Sequence, residues 1–138
     1  MEKYEILEHK ADLKIRVFGK TKEELFLNAM LGMEDCLKSL PAEASAKAGE
    51  IRKIKIKSPD LPALLVDFLS EVLYLIQTNK EIYDKVDFEK FGDTELEAEI
   101  SGKAVERFGE DIKAVTYHGL EIKQIKNGLW RATILFDI

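Results

Sequence analysis

Residues 61–76 read LPALLVDFLSEVLYLI, and this stretch decides the fold of the 138-residue chain. Its apolar residues recur at helical spacing, which predicts a helix with a broad apolar face. Ser58 or Asp60 can cap the helix at its start, and Pro62 is tolerated in a first helical turn. We therefore expect this segment to be the central helix of the hydrophobic core.

The other segments predict one more helix and several strands. Thr21 and Glu24 form a capping box at the start of the first helix, and Pro41 limits how far that helix can extend. Asn127-Gly128 is a strong hairpin signal. The strands are predicted at residues 4–7, 13–19, 51–57, 86–89, 96–100, 115–122 and 130–138. No linker-like segment interrupts residues 1–138, so we expect a single domain of the α+β class, with two helices packed on one face of a mainly antiparallel sheet.

Composition favours a soluble protein of the cytoplasm. The chain is 46% hydrophobic and 34% charged, with a net charge of −5, and we find neither a signal peptide nor a membrane-length apolar run. The single cysteine, Cys36, excludes an internal disulfide and is expected to be buried and inert. In Arg52–Lys57 lysine alternates with isoleucine, which indicates the solvent face of a half-buried strand. Direct binding of nucleic acid is therefore not indicated.

The last predicted strand, Trp130–Ile138, ends in two anions. Asp137 and the free carboxylate of Ile138 are adjacent, and carboxylate oxygens are the ligands that Ca²⁺ or Mg²⁺ prefers. The alternative is an edge strand that happens to end in a polar residue. With only two histidines in the chain, an oxygen-rich site is favoured over a zinc site.

Asp12 lies where a turn enters a predicted strand. If that strand neighbours the last one, the carboxylates of Asp12, Asp137 and Ile138 converge, and their mutual repulsion favours a bound cation. Three separate, solvated carboxylates are the alternative. His9 is either a ligand, a group that orients Asp12, or a loop hydrogen-bonder. Lys113 either counters the acidic cluster or is an ordinary surface lysine.

Nothing in the sequence indicates an ordinary nucleophilic enzyme, because we find no phosphate loop, dinucleotide fingerprint, nucleophile elbow or zinc helix. Asp67 and Glu71 are most economically the water-facing side of the central helix. His118 is expected to satisfy hydrogen bonds at a strand end.

Four blocks of the chain resemble the archease family. Residues 8–12 (EHKAD) are similar to the family's Glu-His-Thr-Ala-Asp opening, and residues 64–73 (LLVDFLSEVL) resemble its central helix. Residues 112–118 (IKAVTYH) and 130–138 (WRATILFDI) match a third block and the C-terminus. The blocks occur in the family's order and span nearly the whole chain. Lys10, Phe68 and Ser70 replace the usual Thr, Trp and Asn, and Lys10 adds a cation that would tune metal affinity.

The resemblance implies a non-catalytic protein that activates an RtcB-type RNA ligase, which joins RNA ends in tRNA splicing with GTP and Mn²⁺. It implies that the activator promotes ligase guanylylation and multiple turnover, and that its fold is a strand-helix-strand-strand module with an insertion. The functional residues carried over are Asp12, Lys113 and Asp137. Asp12, Asp137 and Ile138 would bind a divalent metal, Ca²⁺ or Mg²⁺ with Mn²⁺ as a third candidate, and His9 would lie beside it.

Two other readings of the sequence remain. One is a general chaperone or modulator of RNA-modifying enzymes such as methyltransferases, whose binding would ignore Asp12 and Asp137. The other is a metal-dependent hydrolase that uses the carboxylate cluster, for which only His9 or Glu8 offers a nearby base.

Overall fold

Eight strands and two helices form the part of the chain that the computed structural model describes, residues 2–8, 12–41 and 49–138. In chain order the elements are β1 Tyr4–Glu8, β2 Asp12–Gly19, α1 Lys22–Leu37, β3 Ser39–Pro41, β4 Arg52–Lys57, α2 Leu61–Asn79, β5 Glu81–Phe91, β6 Glu95–Phe108, β7 Ala114–Gln124 and β8 Trp130–Asp137.

The strands form two antiparallel sheets. One has the order β1-β2-β8-β7, and in the other β6 pairs with β3, β4 and β5. Both helices contact both sheets: α1 packs on β2 and β5, and α2 packs on β7 and β4. The predicted α+β class, with two helices and antiparallel strands, is confirmed. The division of the strands between two sheets is a feature that the sequence pattern does not reveal.

Helix α2 is the central core helix that its sequence predicts. Asp60 rather than Ser58 is the cap, since the Asp60 carboxylate accepts the main-chain N–H of Ala63 at 2.8 Å. Nine of the helix's residues are buried, Phe68 among them. Within the described residues α2 is also long and apolar enough to cross a membrane by length and composition alone, a test that the core helix of a soluble protein passes too.

Local signals place the other elements. Thr21 caps α1 by accepting the N–H of Glu24 at 3.0 Å, and α1 ends at Leu37, before Pro41. Asn127 and Gly128, both at positive φ, form the turn between β7 and β8 as predicted. Pro41 ends β3, and residues 42–48, which follow it, lie outside the described residues.

The lysines of β4 face a row of glutamates on β6. The register pairs are Lys53 with Glu99, Lys55 with Glu97 and Lys57 with Glu95. The lysine side chains are exposed while Ile54 between them is buried. The predicted half-buried strand is confirmed, and its basic face lies against acidic neighbours rather than forming a positive patch.

Candidate functional site

Asp12, the first residue of β2, lies directly opposite Asp137, the last residue of β8. They are register partners, next to the pair Leu13 and Phe136. Phe136 points into the core, so by alternation the two aspartates lie on the other face of the sheet. Side chains directly opposite in an antiparallel pair have Cβ atoms about 5 Å apart. The strands that carry the two predicted carboxylates are therefore neighbours.

Lys113 lies at the same end of the sheet. Its main-chain N–H donates to the carbonyl oxygen of Asp137 at 2.7 Å, and Ala114 is the register partner of Asp137 on β7. The Lys113 side chain is exposed and forms no ion pair with any residue that the structure describes. The main chain of Lys113 is thus held beside Asp137 at this end of the sheet.

One oxygen of Asp12 receives no hydrogen bond from the part of the chain that the structure describes. Asp12 is half-buried, and its Oδ1 is buried without a hydrogen-bond partner among the described residues. A buried carboxylate oxygen that lacks a donor is unfavourable unless a cation or another group satisfies it. Asp12 also lines a cavity of about 390 Å³. The cavity's other lining residues include Ile138 and four charged groups, Asp35, Lys38, Glu110 and Asp111.

A second cavity, of about 230 Å³, lies on the other side of Asp12 and also contains His118. The pairing of β7 with β8 is interrupted between Thr116 and Glu121, and Gly119 adopts a φ of 66° within this bulge. The main-chain N–H of His118 donates to Thr116 Oγ1 at 3.2 Å. The bulge brings His118 to the cavity that Asp12 lines, a placement that periodicity does not reveal.

The oxygen atoms at this strand end fit a hard divalent cation in their chemistry. Carboxylate oxygens and the main-chain oxygen of Ile138 are typical Ca²⁺ or Mg²⁺ ligands, and the buried Oδ1 of Asp12 has no hydrogen-bond partner among the described residues. Side chains alone do not complete a site, because within residues 2–8, 12–41 and 49–138 no three His, Cys, Asp or Glu groups could hold a metal. His9 and Lys10 lie outside the described residues.

Comparison with known proteins assigns the family. The sequence model of the Archease protein family matches residues 4–138. The chain belongs to the archease family. It is 37% identical over 145 residues to the archease of Methanosarcina barkeri, a match that covers 99% of this chain and 97% of that relative. The archease of Thermococcus kodakarensis is 32% identical, with both chains covered completely.

Solved archease-type structures share the fold. The solution structure of protein 1598 of Methanobacterium thermoautotrophicum has a TM-score of 0.73 and 28% identity, with complete coverage of both chains. A crystal structure from Thermotoga maritima, described as an archease and possible chaperone, has a TM-score of 0.67 and 18% identity. That match covers 96% of this chain and 94% of the other.

Asp67 of this archease is not simply a water-facing residue of α2. Its carboxylate is half-buried and accepts two hydroxyl hydrogen bonds, from Ser58 Oγ at 2.6 Å and from Tyr117. The bond to Asp67 raises the pKa of the Tyr117 hydroxyl. Glu71, one turn further along, is exposed as expected. Sequence periodicity does not reveal the contact with Tyr117, because the strand that supplies Tyr117 lies far away in sequence.

A buried acid on α1 was missed by sequence reasoning. Glu34 is only 8% exposed, and its Oε1 accepts the main-chain N–H of Tyr83 at 2.6 Å, which joins α1 to β5. Burial raises the pKa of Glu34 to about 8. The helical spacing indicates this burial, because Glu34 falls on the apolar face of α1 between Met30 and Leu37.

A second acid, Glu81, is buried, and side-chain donors satisfy its carboxylate. Arg52 donates to both Glu81 oxygens, at 3.1 and 3.2 Å, and the Tyr83 hydroxyl donates at 2.9 Å. Burial, and then the hydrogen bond to Glu81, raises the pKa of Tyr83 to about 12. Arg52 and Tyr83 both donate to Glu81. We therefore assign these three residues a structural role, which is to join β4 to β5.

Proposed function

We propose that this protein is a non-catalytic activator of an RtcB-type RNA ligase that uses GTP and Mn²⁺ in tRNA splicing. The activator works in the cytoplasm by direct contact with the ligase and promotes ligase guanylylation and multiple turnover. Membership of the archease family supports the proposal. The observation that carries it is the placement of Asp12, Asp137 and Lys113 together at one sheet end.

The two aspartates and Ile138 are the proposed metal ligands. The ladder between β2 and β8 fixes the main chain of Asp12 and Asp137, so their carboxylates need little rearrangement to act together. His9 is proposed to lie beside the ion. A bound Ca²⁺, Mg²⁺ or Mn²⁺ would supply positive charge that neutralises phosphate oxygens. The carboxylates confine that charge to the end of the sheet, where a partner can reach it.

Lys113 is proposed to contact a phosphate or an acidic patch of the ligase. Its ammonium group is exposed and unpaired within the described chain, so binding breaks no ion pair. The main-chain bond to Asp137 holds the base of the side chain in place. Lysine binds phosphate as a mobile point charge, which suits a group that must follow a partner's phosphate.

The charge of the protein supports an action through the ligase rather than on RNA directly. The net charge is −5, and the basic row on β4 lies opposite glutamates of β6. A protein that binds RNA by itself usually presents an unneutralised positive surface. The ligase is therefore proposed to supply the RNA-binding surface.

RNA ligation by the ligase of the same organism tests the proposal. With RNA substrate in excess, GTP and Mn²⁺, the ligase is expected to stop near one turnover alone and to continue through many turnovers when this protein is added. An active ligase whose turnover the protein leaves unchanged would overturn the proposal.

A general chaperone for RNA-modifying enzymes is the second candidate. It is favoured by one observation, the description of the Thermotoga maritima relative as a possible chaperone. Capture of partners from the source cell discriminates between the two, because the activator predicts that the ligase dominates. Methyltransferases that bind equally well to an Asp12→Asn, Asp137→Asn double variant would favour the chaperone.

A further inference from the structure

Helix α2 runs along β7 and is bonded at one end to β7 and at the other to the segment just before it. The Tyr117 hydroxyl donates to Asp67 at one end, and Gln77 Nε2 donates to the carbonyl oxygen of Ile112 at 2.9 Å at the other. Between these ties the helix turns an exposed side outward. We call this surface the α2–β7 seam, and it comprises Asp67, Ser70, Glu71, Tyr74, Gln77 and Tyr117.

Two large aromatic side chains lie exposed on the seam. Tyr74 is 60% exposed and Tyr117 is 59% exposed. Tyr74 follows Asp67 by two helical turns, so it lies on the same side of α2. The bond to Asp67 holds Tyr117 in place, and a restrained side chain loses less entropy when a partner covers it. Tyrosine is also among the residues that contribute most at protein interfaces.

The seam also carries negative charge without a cationic partner. Asp67 accepts only from the neutral hydroxyls of Ser58 and Tyr117, and neither Asp67 nor Glu71 forms an ion pair within the described residues. Carboxylates beside exposed tyrosine rings complement a guanidinium group. Arginine binds a carboxylate through two parallel hydrogen bonds and stacks on an aromatic face.

The seam continues into the proposed activation site. Ile112, which receives the bond from Gln77, immediately precedes Lys113, and β7 then leads from Ala114 to Tyr117 over about 10 Å. A protein that covers the seam would therefore also reach the end of the sheet at Lys113, and Asp137, on the opposite face, borders the same end.

We propose that the α2–β7 seam is the docking surface for the RNA ligase and that it receives an arginine-bearing segment of that enzyme. This inference rests on the proposed function. It separates two tasks: the seam provides affinity, while the sheet end with Asp12, Asp137 and Lys113 provides activation.

Direct binding of the purified ligase, measured by calorimetry, tests the seam. Tyr74→Ala is expected to weaken binding about tenfold, the loss typical of an interface tyrosine. Glu71→Gln is expected to weaken it severalfold and to reduce its dependence on salt. Ile51→Ala is the matched control, because Ile51 is 64% exposed and lies immediately before β4, which belongs to the other sheet. It is expected to bind like the wild type.

Activation at saturating concentration separates the two tasks. Ligase saturated with Tyr74→Ala is expected to turn over as it does with the wild type, whereas ligase saturated with Asp137→Asn is expected to remain bound but not activated. The arginine is tested with phenylglyoxal, which modifies arginine side chains. At a concentration that saturates the ligase with wild type but not with the weaker-binding Tyr74→Ala, the wild type should protect a ligase arginine that Tyr74→Ala leaves largely reactive.

The outcomes distinguish the seam from the proposed function. If the wild type binds and activates the ligase but Tyr74→Ala and Glu71→Gln bind equally well, the seam is not the docking surface, while the proposed activator function is retained. If no arginine is differentially protected, the arginine-bearing partner is wrong. If sedimentation shows a dimer of this chain that Tyr74→Ala dissolves, the seam is an interface between copies. If the wild type neither binds nor activates the ligase, both proposals fail.

Discussion

Asp12 and Asp137 are register partners in neighbouring antiparallel strands, so two carboxylates lie opposite each other on one face of the sheet. Like charges directly opposite in a sheet are destabilising. A divalent cation between them would reverse that effect, and it would displace no hydrogen bond that the described residues make to Asp12 Oδ1.

Added Ca²⁺, Mg²⁺ or Mn²⁺ is accordingly expected to raise the melting temperature of the wild type relative to EDTA. An ion at a hundred times its dissociation constant stabilises the folded state by about 2.7 kcal/mol. Thermal unfolding with and without each ion measures this, and Asp87→Asn, an exposed aspartate on β5, serves as control. Equal stabilisation of wild type and Asp137→Asn would place the ion elsewhere.

In EDTA, Asp137→Asn is expected to be as stable as the wild type or more stable by up to about 1 kcal/mol, because it removes a cross-strand repulsion. The main-chain bond from Lys113 to Asp137 is kept in the variant, since it uses the carbonyl oxygen. Urea unfolding measures the difference. A large loss of stability would show that the carboxylate supports the fold rather than a ligand.

Lys113→Ala is expected to reduce ligase turnover severalfold or more while leaving the melting temperature unchanged, because the exposed ammonium group makes no described ion pair. A lost charged hydrogen bond costs about 1.5–3 kcal/mol. Turnover at substrate excess is the measurement, and Lys53→Ala is the control, since that side chain is 83% exposed on the other sheet. Wild-type turnover with Lys113→Ala would remove Lys113 from the site.

Glu34→Gln is expected to change the pH dependence of stability. Burial raises the pKa of Glu34 from 4.5 to about 8, so the folded state favours the protonated acid. This contribution to stability is complete below pH 4.5 and is lost as the pH rises through 8. Glutamine cannot ionise, so the variant should resemble the wild type at pH 5 and be more stable at pH 9, by an amount on the order of a few kcal/mol. Urea unfolding at both pH values tests this, and a difference that does not vary with pH would contradict it.

Tyr83→Phe is expected to destabilise the fold by about 1–3 kcal/mol, because a buried hydroxyl no longer donates to the Glu81 carboxylate. Tyr74→Phe is the matched control and should change stability little, since Tyr74 is exposed. Urea unfolding compares the two. Under conditions in which Tyr83→Phe is folded, it should activate the ligase as the wild type does. A loss of activation by the folded variant would contradict the structural role.

Local patterns located both helices and the last hairpin, but they missed β3 and predicted only residues 86–89 of β5 and 96–100 of β6. Helical spacing and the Asp60 and Thr21 caps located α2 and α1, and Asn127-Gly128 located the last hairpin. Each of these signals lies within a few consecutive residues, so it can be recognised without knowledge of the tertiary structure. The division of the strands into two sheets depends on pairings between distant segments, and periodicity does not encode it.

The site was predictable only in part for the same reason. The sequence offered Asp12, Asp137 and Lys113 as candidates, and the strand order then placed them together. Tyr117 reaches Asp67 only because β7 packs beside α2. His118 reaches a cavity shared with Asp12 through a bulge whose only sequence sign was Gly119.

The central claim is that the paired aspartates at the sheet end activate the ligase. RNA ligation at substrate excess, with ligase saturated by wild type, Asp12→Asn, Asp137→Asn or Asp87→Asn, tests it most directly. Wild type and Asp87→Asn are predicted to sustain many turnovers, while ligase with Asp12→Asn or Asp137→Asn is predicted to stop near one. Sustained turnover with both of these variants, folded and bound, would contradict the claim.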